Sequence, residues 1–500
     1  MEPELRGEVC GQFVFGLSFD SIHQPNKIMF LRQITDAHLA QNAYLIGCQR
    51  TGEAIVIDPE RDVDRYFAVA NENGLRITAV AETHIHADYL SGAREFSERH
   101  GAVAYLSETG GKDWQFEWAK GSPRARFLRG GDEFRVGNIR FTAIETPGHT
   151  PEHLSFLVTD EGGGADEPMA YLTGDFVFVG DVGRPDLLES AAGQEGMMES
   201  SARTLYASLR GTAELADHLQ ILPAHGAGSA CGKALGAVPT SVLGYERKFN
   251  APLHEALNGE EERFVEHILS GQPEPPLYFA RMKRDNRLGP ALLVDGKLPV
   301  PERVSADGLV DWVGRDGTSI LDLRGDRVAF AARHLRGAIH APLAGGKLSV
   351  AAGSYVDERS RILLVVENED QVEVAVRDLV RIGLDRVEGW IPSGEAWGDG
   401  LAETFIRITP GELPADACVL DVRGADEFNA SHVRGAVNIA YTRLAARRDE
   451  IPDGCRLHVH CAGGLRALIA SSYLASIGKP VIWVDGAFGD IPDLMKEPRA

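Results

Sequence analysis

From Met29 onward the chain alternates short apolar runs with polar stretches rich in Gly, Asp and Pro: NAYLIG, EAIVIDP, ITAVAETH and RFTAIETPGH. Runs of that length bounded by turn formers predict β-strands, and their polar ends carry His or Asp, so the loops are expected to gather at one sheet edge. Helical stretches intervene. One is expected over residues 92–100, with Ser91 as N-cap, its hydroxyl accepting from a first-turn N–H. The composition turns to QPEPP at 272–276 and stays Gly- and Pro-interrupted over 290–301, which places a boundary near residue 300.

Beyond that boundary the pattern repeats. SILDLRGDRVAFAARHLRGAIHAPL (319–343) matches CVLDVRGADEFNASHVRGAVNIAY (418–441), setting Asp322 against Asp421 and His334 against His432. RILLVV (361–366) matches RLHVHC (456–461), and the helices that follow end at IGL (382–384) and IGK (477–479). A strand, helix and HxRGA turn recurring after about 95 residues predict two small α/β domains with parallel sheets. With a chain of 500 residues this gives three units, over 29–290, 304–400 and 403–500. Residues 1–28, acidic early and without a basic segment leading into a long apolar core, read as a disordered extension or an early start codon rather than a signal peptide.

Charge and cysteine usage narrow the function. The 73 acidic side chains outnumber the 51 basic ones, and a net charge of −22 repels phosphate backbones and anionic membranes, so neither nucleic acid nor membrane is an expected partner. Six cysteines, at 10, 48, 231, 418, 455 and 461, include no CxxC pair and are too few for a disulfide scaffold. They read as mostly free thiols in a reducing, cytoplasmic setting, with Cys10, Cys48, Cys418 and Cys455 in leader, strand cores or loops. A homo-oligomer is expected.

The candidate chemistry begins with four clusters: Thr83-His84-Ile85-His86-Ala87-Asp88-Tyr89, Thr146-Pro147-Gly148-His149, Leu172-Thr173-Gly174-Asp175 and Leu222-Pro223-Ala224-His225. A single His beside a strand is usually a hydrogen-bonded core or surface residue. Four clusters of imidazoles and carboxylates converging on one edge are instead a transition-metal ligand set. In this order they resemble the signature of the metallo-β-lactamase fold, a four-layer αββα sandwich, over about residues 29–288. The hydrolase form of that signature reads HxHxDH and its last His helps hold a second metal. Tyr89 stands there in this chain, which weakens that site, although Asp88, His225 and water remain an alternative second set.

The chain looks like the persulfide dioxygenase branch of that fold. The resemblance implies one Fe(II) per chain, with zinc less expected, held by His84, His149 and Asp175. Such a facial set leaves three adjacent positions for water, oxygen and a substrate sulfur. His86, Asp88 and His225 would then orient the ligands. The implied reaction oxidises the outer sulfur of a low-molecular-weight persulfide to sulfite, and Tyr89 is a candidate donor to oxygen at the iron. Arg184, in the loop Gly180-Asp181-Val182-Gly183-Arg184-Pro185-Asp186, is expected either to grip a substrate carboxylate or to pair with Asp181 or Asp186. Lys283, Arg284 and Arg287 form a second basic stretch that would suit an anionic thiol carrier. Cys231 reads as a buried bystander thiol, a persulfide relay being the alternative.

A second site lies at Cys461-Ala462-Gly463-Gly464-Leu465-Arg466, between an apolar strand and the helix ALIASSYLASIG. A thiol there meets a ring of backbone N–H groups that stabilise thiolate and persulfide charge; Gly463 and Gly464 let the backbone curl, and Arg466 closes the loop. With LDVR and HVRGA upstream, it resembles the rhodanese family over about 403–500. In the preceding copy Cys461 falls on Val366 and Arg466 on Gln371, so 304–400 is expected to be catalytically inactive. Three hypotheses follow: a persulfide dioxygenase coupled to thiosulfate sulfurtransfer, using oxygen, sulfite or thiosulfate and a glutathione, coenzyme A or smaller thiol persulfide; a zinc thioester hydrolase of glyoxalase II type with accessory rhodanese domains; and a non-catalytic sulfur carrier.

Overall fold

The computed structural model describes residues 29–186, 196–229, 231–233, 235–272, 274–398 and 400–498. The leader expected over 1–28, with Cys10, lies outside the described residues. Strands β1 (Met29–Asp36), β2 (Gln41–Cys48), β3 (Glu53–Ile57), β4 (Arg76–Ala81), β5 (Val103–Ser107) and β6 (Ala125–Leu128) form one sheet in sequence order. A second sheet runs β12-β11-β10-β9-β8-β7, from β7 (Glu133–Val136), β8 (Ile139–Glu145), β9 (Leu154–Thr159), β10 (Ala170–Gly174), β11 (Gln220–Pro223) and β12 (Ser241–Val242).

Strand periodicity decides how the two sheets stack. In β2 the side chains of Tyr44 and Ile46 join Phe141, Phe156 and Leu172 of the second sheet in one buried cluster, while Ala43 and Leu45 pack with Tyr66 and Phe96 on the other side. The outer face of the second sheet, through Tyr171 and Ile221, packs on Leu205, Leu253 and Phe264 of three helices. The result is an αββα sandwich. β3, β4, β8, β10 and β11 end at one edge, each a few residues before Asp58, His84, His149, Asp175 or His225. The helix expected over 92–100 is shorter, Ala93–Glu98, with Gly92 at the N-cap; the Ser91 hydroxyl still accepts from the Ala93 N–H at 2.9 Å.

The rest of the chain builds two sheets of one design. The first is ordered β13-β18-β17-β14-β16, from β13 (Glu302–Arg303), β14 (Thr318–Asp322), β16 (Ala338–His340), β17 (Arg361–Val366) and β18 (Val387–Pro392), with β15 (His334–Leu335) and β19 (Ala402–Glu403) as a side ribbon. The second repeats that order as β20-β25-β24-β21-β23, from β20 (Arg407–Ile408), β21 (Cys418–Asp421), β23 (Val437–Asn438), β24 (Leu457–His460) and β25 (Val481–Val484), with β22 (Ser431–Val433) and β26 (Lys496–Pro498) as its ribbon. Both five-stranded sheets are parallel throughout.

One expectation fails here. Cys418 and Cys455, read as unpaired thiols, are joined by a disulfide with Cα atoms 6.4 Å apart. The cause is register: Cys418 lies opposite Leu457, so the segment entering β24 carries Cys455 alongside it. No helix among the described residues is long and apolar enough to cross a membrane.

Candidate functional site

At the sandwich edge His84, His149 and Asp175 come together, with one ligand atom of each within 4.8 Å of the others. All three are buried. His149 Nε2 lies 3.4 Å and His84 Nε2 3.9 Å from Asp175 Oδ2, an oxygen without a hydrogen-bond partner among the described residues. An orphaned, buried carboxylate oxygen facing two imidazole nitrogens is costly on its own and is what a cation would satisfy. Burial lowers the pKa of both imidazoles, which favours the neutral form that ligates metals.

Neighbouring groups fix how these side chains point. Thr83 donates its hydroxyl to Asp58 Oδ2 at 2.9 Å, and Thr83 Oγ1 lies 3.0 Å from His84 Nδ1, which therefore donates to it. His149 Nδ1 donates to the Arg184 carbonyl at 2.9 Å. Both Nε2 atoms are thereby left as bare acceptors facing Asp175. Asp175 Oδ1 bonds His225 Nδ1 at 2.7 Å, and His225 Nε2 bonds Asp88 Oδ2 at 2.8 Å. Burial opposes charge on Asp175, but His225 outweighs it and holds the carboxyl below its ordinary range. Asp88, His225 and Cys231 form a second convergent set beside the first. Burial pushes the Cys231 thiol up to about 12.

His86 engages Asp58 and Glu82 through one ring nitrogen, while its Nδ1 has no hydrogen-bond partner among the described residues and its ring centroid lies 4.1 Å from that of His84. Its Nε2 sits 3.1 Å from Asp58 Oδ1 and 3.0 Å from Glu82 Oε2. Burial works against an imidazolium there, yet Asp58 and Glu82 hold it up to about 10. Tyr89 and Arg184 both have partners within the chain, and for Arg184 this is the Asp186 pairing expected as the alternative to a substrate carboxylate. The Tyr89 hydroxyl, in a fully buried side chain stacked on His86, donates to the Asp58 carbonyl and accepts from Gln41 Nε2, both at 3.2 Å. Arg184 is buried and forks onto Asp186 at 2.8 and 2.6 Å, so its partner is a neighbouring carboxylate of the chain. In the second basic stretch, Lys283 stands 3.6 Å over the Trp114 ring and burial lowers it to about 8, while Arg284 and Arg287 face Glu358 and Glu117.

Sequence reasoning passed over Asp58, Glu82, Glu152 and His153. Asp58 ends the EAIVIDP run as His84 ends ITAVAETH, and its φ of 51° marks a non-glycine held in the left-handed region. Glu152 Oε1 accepts from the Ile85 N–H at 2.7 Å, between the two motif histidines, and burial raises Glu152 to about 7. His153 Nε2 accepts from the Asp175 N–H at 3.1 Å and its ring stacks on His84. The signal for both was a glutamate and second histidine in the same PGHTPEH loop.

The Cys461 loop has its own geometry. Gly464 N–H and Ala467 N–H point at Cys461 Sγ from 3.1 and 3.4 Å, where β24 hands over to the helix Leu465–Ser476. Gly464 has φ 94°, and a Cβ there would strike the Asp485 carboxylate, so only glycine fits. Arg466 forks onto Glu427 at 2.6 and 2.8 Å rather than onto the sulfur. In the first copy Asp322 lies opposite Val365 as Asp421 lies opposite His460, which puts Val366 where Cys461 stands.

Comparison with known proteins fits this division. The model of the metallo-beta-lactamase superfamily matches residues 37–225, and that of the rhodanese-like domain matches 410–491. A crystal structure of a metallo-beta-lactamase from Staphylococcus aureus subsp. aureus COL is 39% identical, covering 73% of this chain and 99% of that one with a TM-score of 0.63. Among curated relatives, the hydroxyacylglutathione hydrolase of Nitrosococcus oceani is 34% identical over 154 residues, 30% of this chain and 52% of that protein. The mitochondrial persulfide dioxygenase ETHE1 of Bos taurus is 29% identical over 168 residues, 33% of this chain and 59% of that protein. The chain thus spans between half and three fifths of these two curated relatives.

Proposed function

Because this chain belongs to the metallo-beta-lactamase superfamily and carries a rhodanese-like domain behind its sandwich, we propose that it oxidises a low-molecular-weight thiol persulfide to sulfite at one iron and exchanges sulfur at Cys461. The observation that carries this reading is the convergence of His84, His149 and Asp175, whose Oδ2 has no hydrogen-bond partner among the described residues, while His86 Nε2 is held by Asp58 and Glu82. Two imidazoles and one carboxylate suit Fe(II), which when bound would bring a persulfide sulfur and oxygen to one centre. The chain's own part is orientation. Thr83 and the Arg184 carbonyl keep the two Nε2 atoms free of protons, and His225 and His153 fix Asp175. The overall reaction takes RSS⁻, O₂ and water to RSH, sulfite and a proton. The S–S bond breaks, and the outer sulfur loses the four electrons that oxygen gains.

At the second site a persulfide on Cys461 would pass its outer sulfur to sulfite, giving thiosulfate and the Cys461 thiolate, or run in reverse. The Gly464 and Ala467 amides stabilise negative sulfur in both states.

The second reading is a binuclear thioester hydrolase. The Asp88, His225 and Cys231 set and the likeness to a hydroxyacylglutathione hydrolase favour it. Metal analysis of anaerobically purified protein, with oxygen uptake on several persulfides, separates the two. One Fe per chain with persulfide-dependent uptake is expected. Two tightly held zinc ions with thioester turnover would establish the hydrolase.

A further inference from the structure

Arg327 belongs to the copy that lacks a cysteine, at the start of its helix Arg327–Ala332. Its guanidinium nonetheless reaches the other copy. Nη1 donates to the Gly463 carbonyl at 2.9 Å, and Nη2 lies 2.9 Å from Asp485 Oδ1. The Gly463 carbonyl and the Gly464 N–H are the two ends of one planar peptide and point in opposite directions. A cation on the carbonyl therefore aims the N–H of that same peptide at Cys461 Sγ, 3.1 Å away, and polarises it further.

The neighbouring groups hold the guanidinium in this place. Asp485, buried, is shared with Arg407, whose Nε stands 2.8 Å from Oδ2, so the carboxylate sits between two arginines. The Trp483 ring lies under both cations, and its Nε1 donates to the Gly464 carbonyl at 2.9 Å. The two carbonyls of the Gly-Gly segment thus face donors outside the loop, while the Gly464 amide faces the sulfur. Gly463 itself contributes no such restraint, since a Cβ placed there would meet no described atom within 4 Å.

We propose that Arg327, supplied by the cysteine-less copy, is a positioning residue for the sulfur cradle, so that the inactive copy completes the active one. The inference rests on reading Cys461 as the sulfur carrier, and its test keeps the two apart. The full-length protein, Arg327→Ala and Arg327→Lys are alkylated with iodoacetamide at one neutral pH, and the rate at Cys461 is followed by peptide mass. The same proteins are assayed for sulfur transfer from thiosulfate to cyanide, with KM and kcat separated.

Arg327→Ala should slow alkylation and lower kcat by about fivefold or more, with Lys recovering part of both, because one charge-assisted hydrogen bond to the peptide is lost and then partly restored. Unchanged alkylation overturns the proposal. A raised KM for thiosulfate with unchanged alkylation by the neutral reagent also overturns it, since Arg327 would then merely attract anions. Absence of transfer in the unmodified protein would end the sulfurtransferase reading alone, because the alkylation rates decide the role of Arg327 by themselves.

Discussion

Each of the two converging imidazoles carries its proton on the nitrogen that faces away from the cluster. The Thr83 hydroxyl, already spent as a donor on Asp58, can only accept from His84 Nδ1, and the Arg184 carbonyl can only accept from His149 Nδ1. Replacing His84, His149 or Asp175 by Ala removes a ligand outright and should abolish metal-dependent oxygen uptake. His86→Ala removes a partner of Asp58, which in turn braces Thr83, and is expected to cost about 10–100-fold, as losses one bond from the metal do. Equal collapse at positions 84 and 86, measured by oxygen electrode and metal content, would mean that His86 is itself a ligand. Those three ligand candidates were legible because each follows an apolar run that had to end at the same edge. The direction of Tyr89 was not, and for Arg184 the sequence left the Asp186 pairing as one of two alternatives. Residue type names a phenol, but the Asp58 carbonyl that accepts from the Tyr89 hydroxyl lies 31 residues upstream, and only the fold brings it there.

At the level of elements, the two five-stranded sheets share one strand order and even their side ribbons, a repeat visible in the HxRGA turns long before any pairing. Their chemistry diverges at one strand end: β17 finishes on Val366, β24 is followed by Cys461. Helix Leu465–Ser476 receives that thiol, whereas in the first copy Gln371 bonds back to Glu367, placing an acidic side chain at the corresponding loop. Cys461→Ser should therefore abolish sulfur exchange between thiosulfate and an acceptor, since a hydroxyl cannot become a persulfide and Val366 offers no substitute. Folding stability should move by no more than about 1 kcal/mol, because a hydroxyl accepts from the same two amides. Oxygen uptake on a supplied persulfide should persist, now releasing free sulfite. Exchange at the native rate in the variant would remove Cys461 from the mechanism. The disulfide between Cys418 and Cys455 was not legible in the same way. Spacing alone offers many pairings, and the choice was made by the register of β21 on β24.

Across the whole molecule the cysteine-less copy sits between the two sites and is packed to both. One buried cluster joins Leu90, Tyr278, Phe279 and Met282 of the first unit to Leu321, Leu364 and Leu379 of that copy, and another joins Phe330 and Leu363 to Leu457, Leu468 and Trp483 of the last. The seam with the sandwich is also charged. Arg381, 7% exposed, lies within 3.1 Å of Asp36, Glu60 and Asp62, and its carbonyl accepts from the Leu90 N–H, one residue beyond Tyr89. Arg61 crosses the seam in the other direction to Asp385. Burial drives the Glu60 carboxyl upward and Arg381 opposes it, so removing the cation strands several buried acids at once. Arg381→Ala should lower stability by about 3–5 kcal/mol, the cost of breaking a buried ion pair from one side, and show a lower thermal midpoint. Because the Leu90 contact leads straight into the segment holding Asp88 and His84, metal content should fall in the same variant. Arg381→Lys should restore part of the midpoint, since one ammonium can meet one or two of the acids but cannot reproduce the planar fork. An unchanged midpoint and full metal content in Arg381→Ala would show that the hydrophobic seam alone fixes the copy against the metal centre.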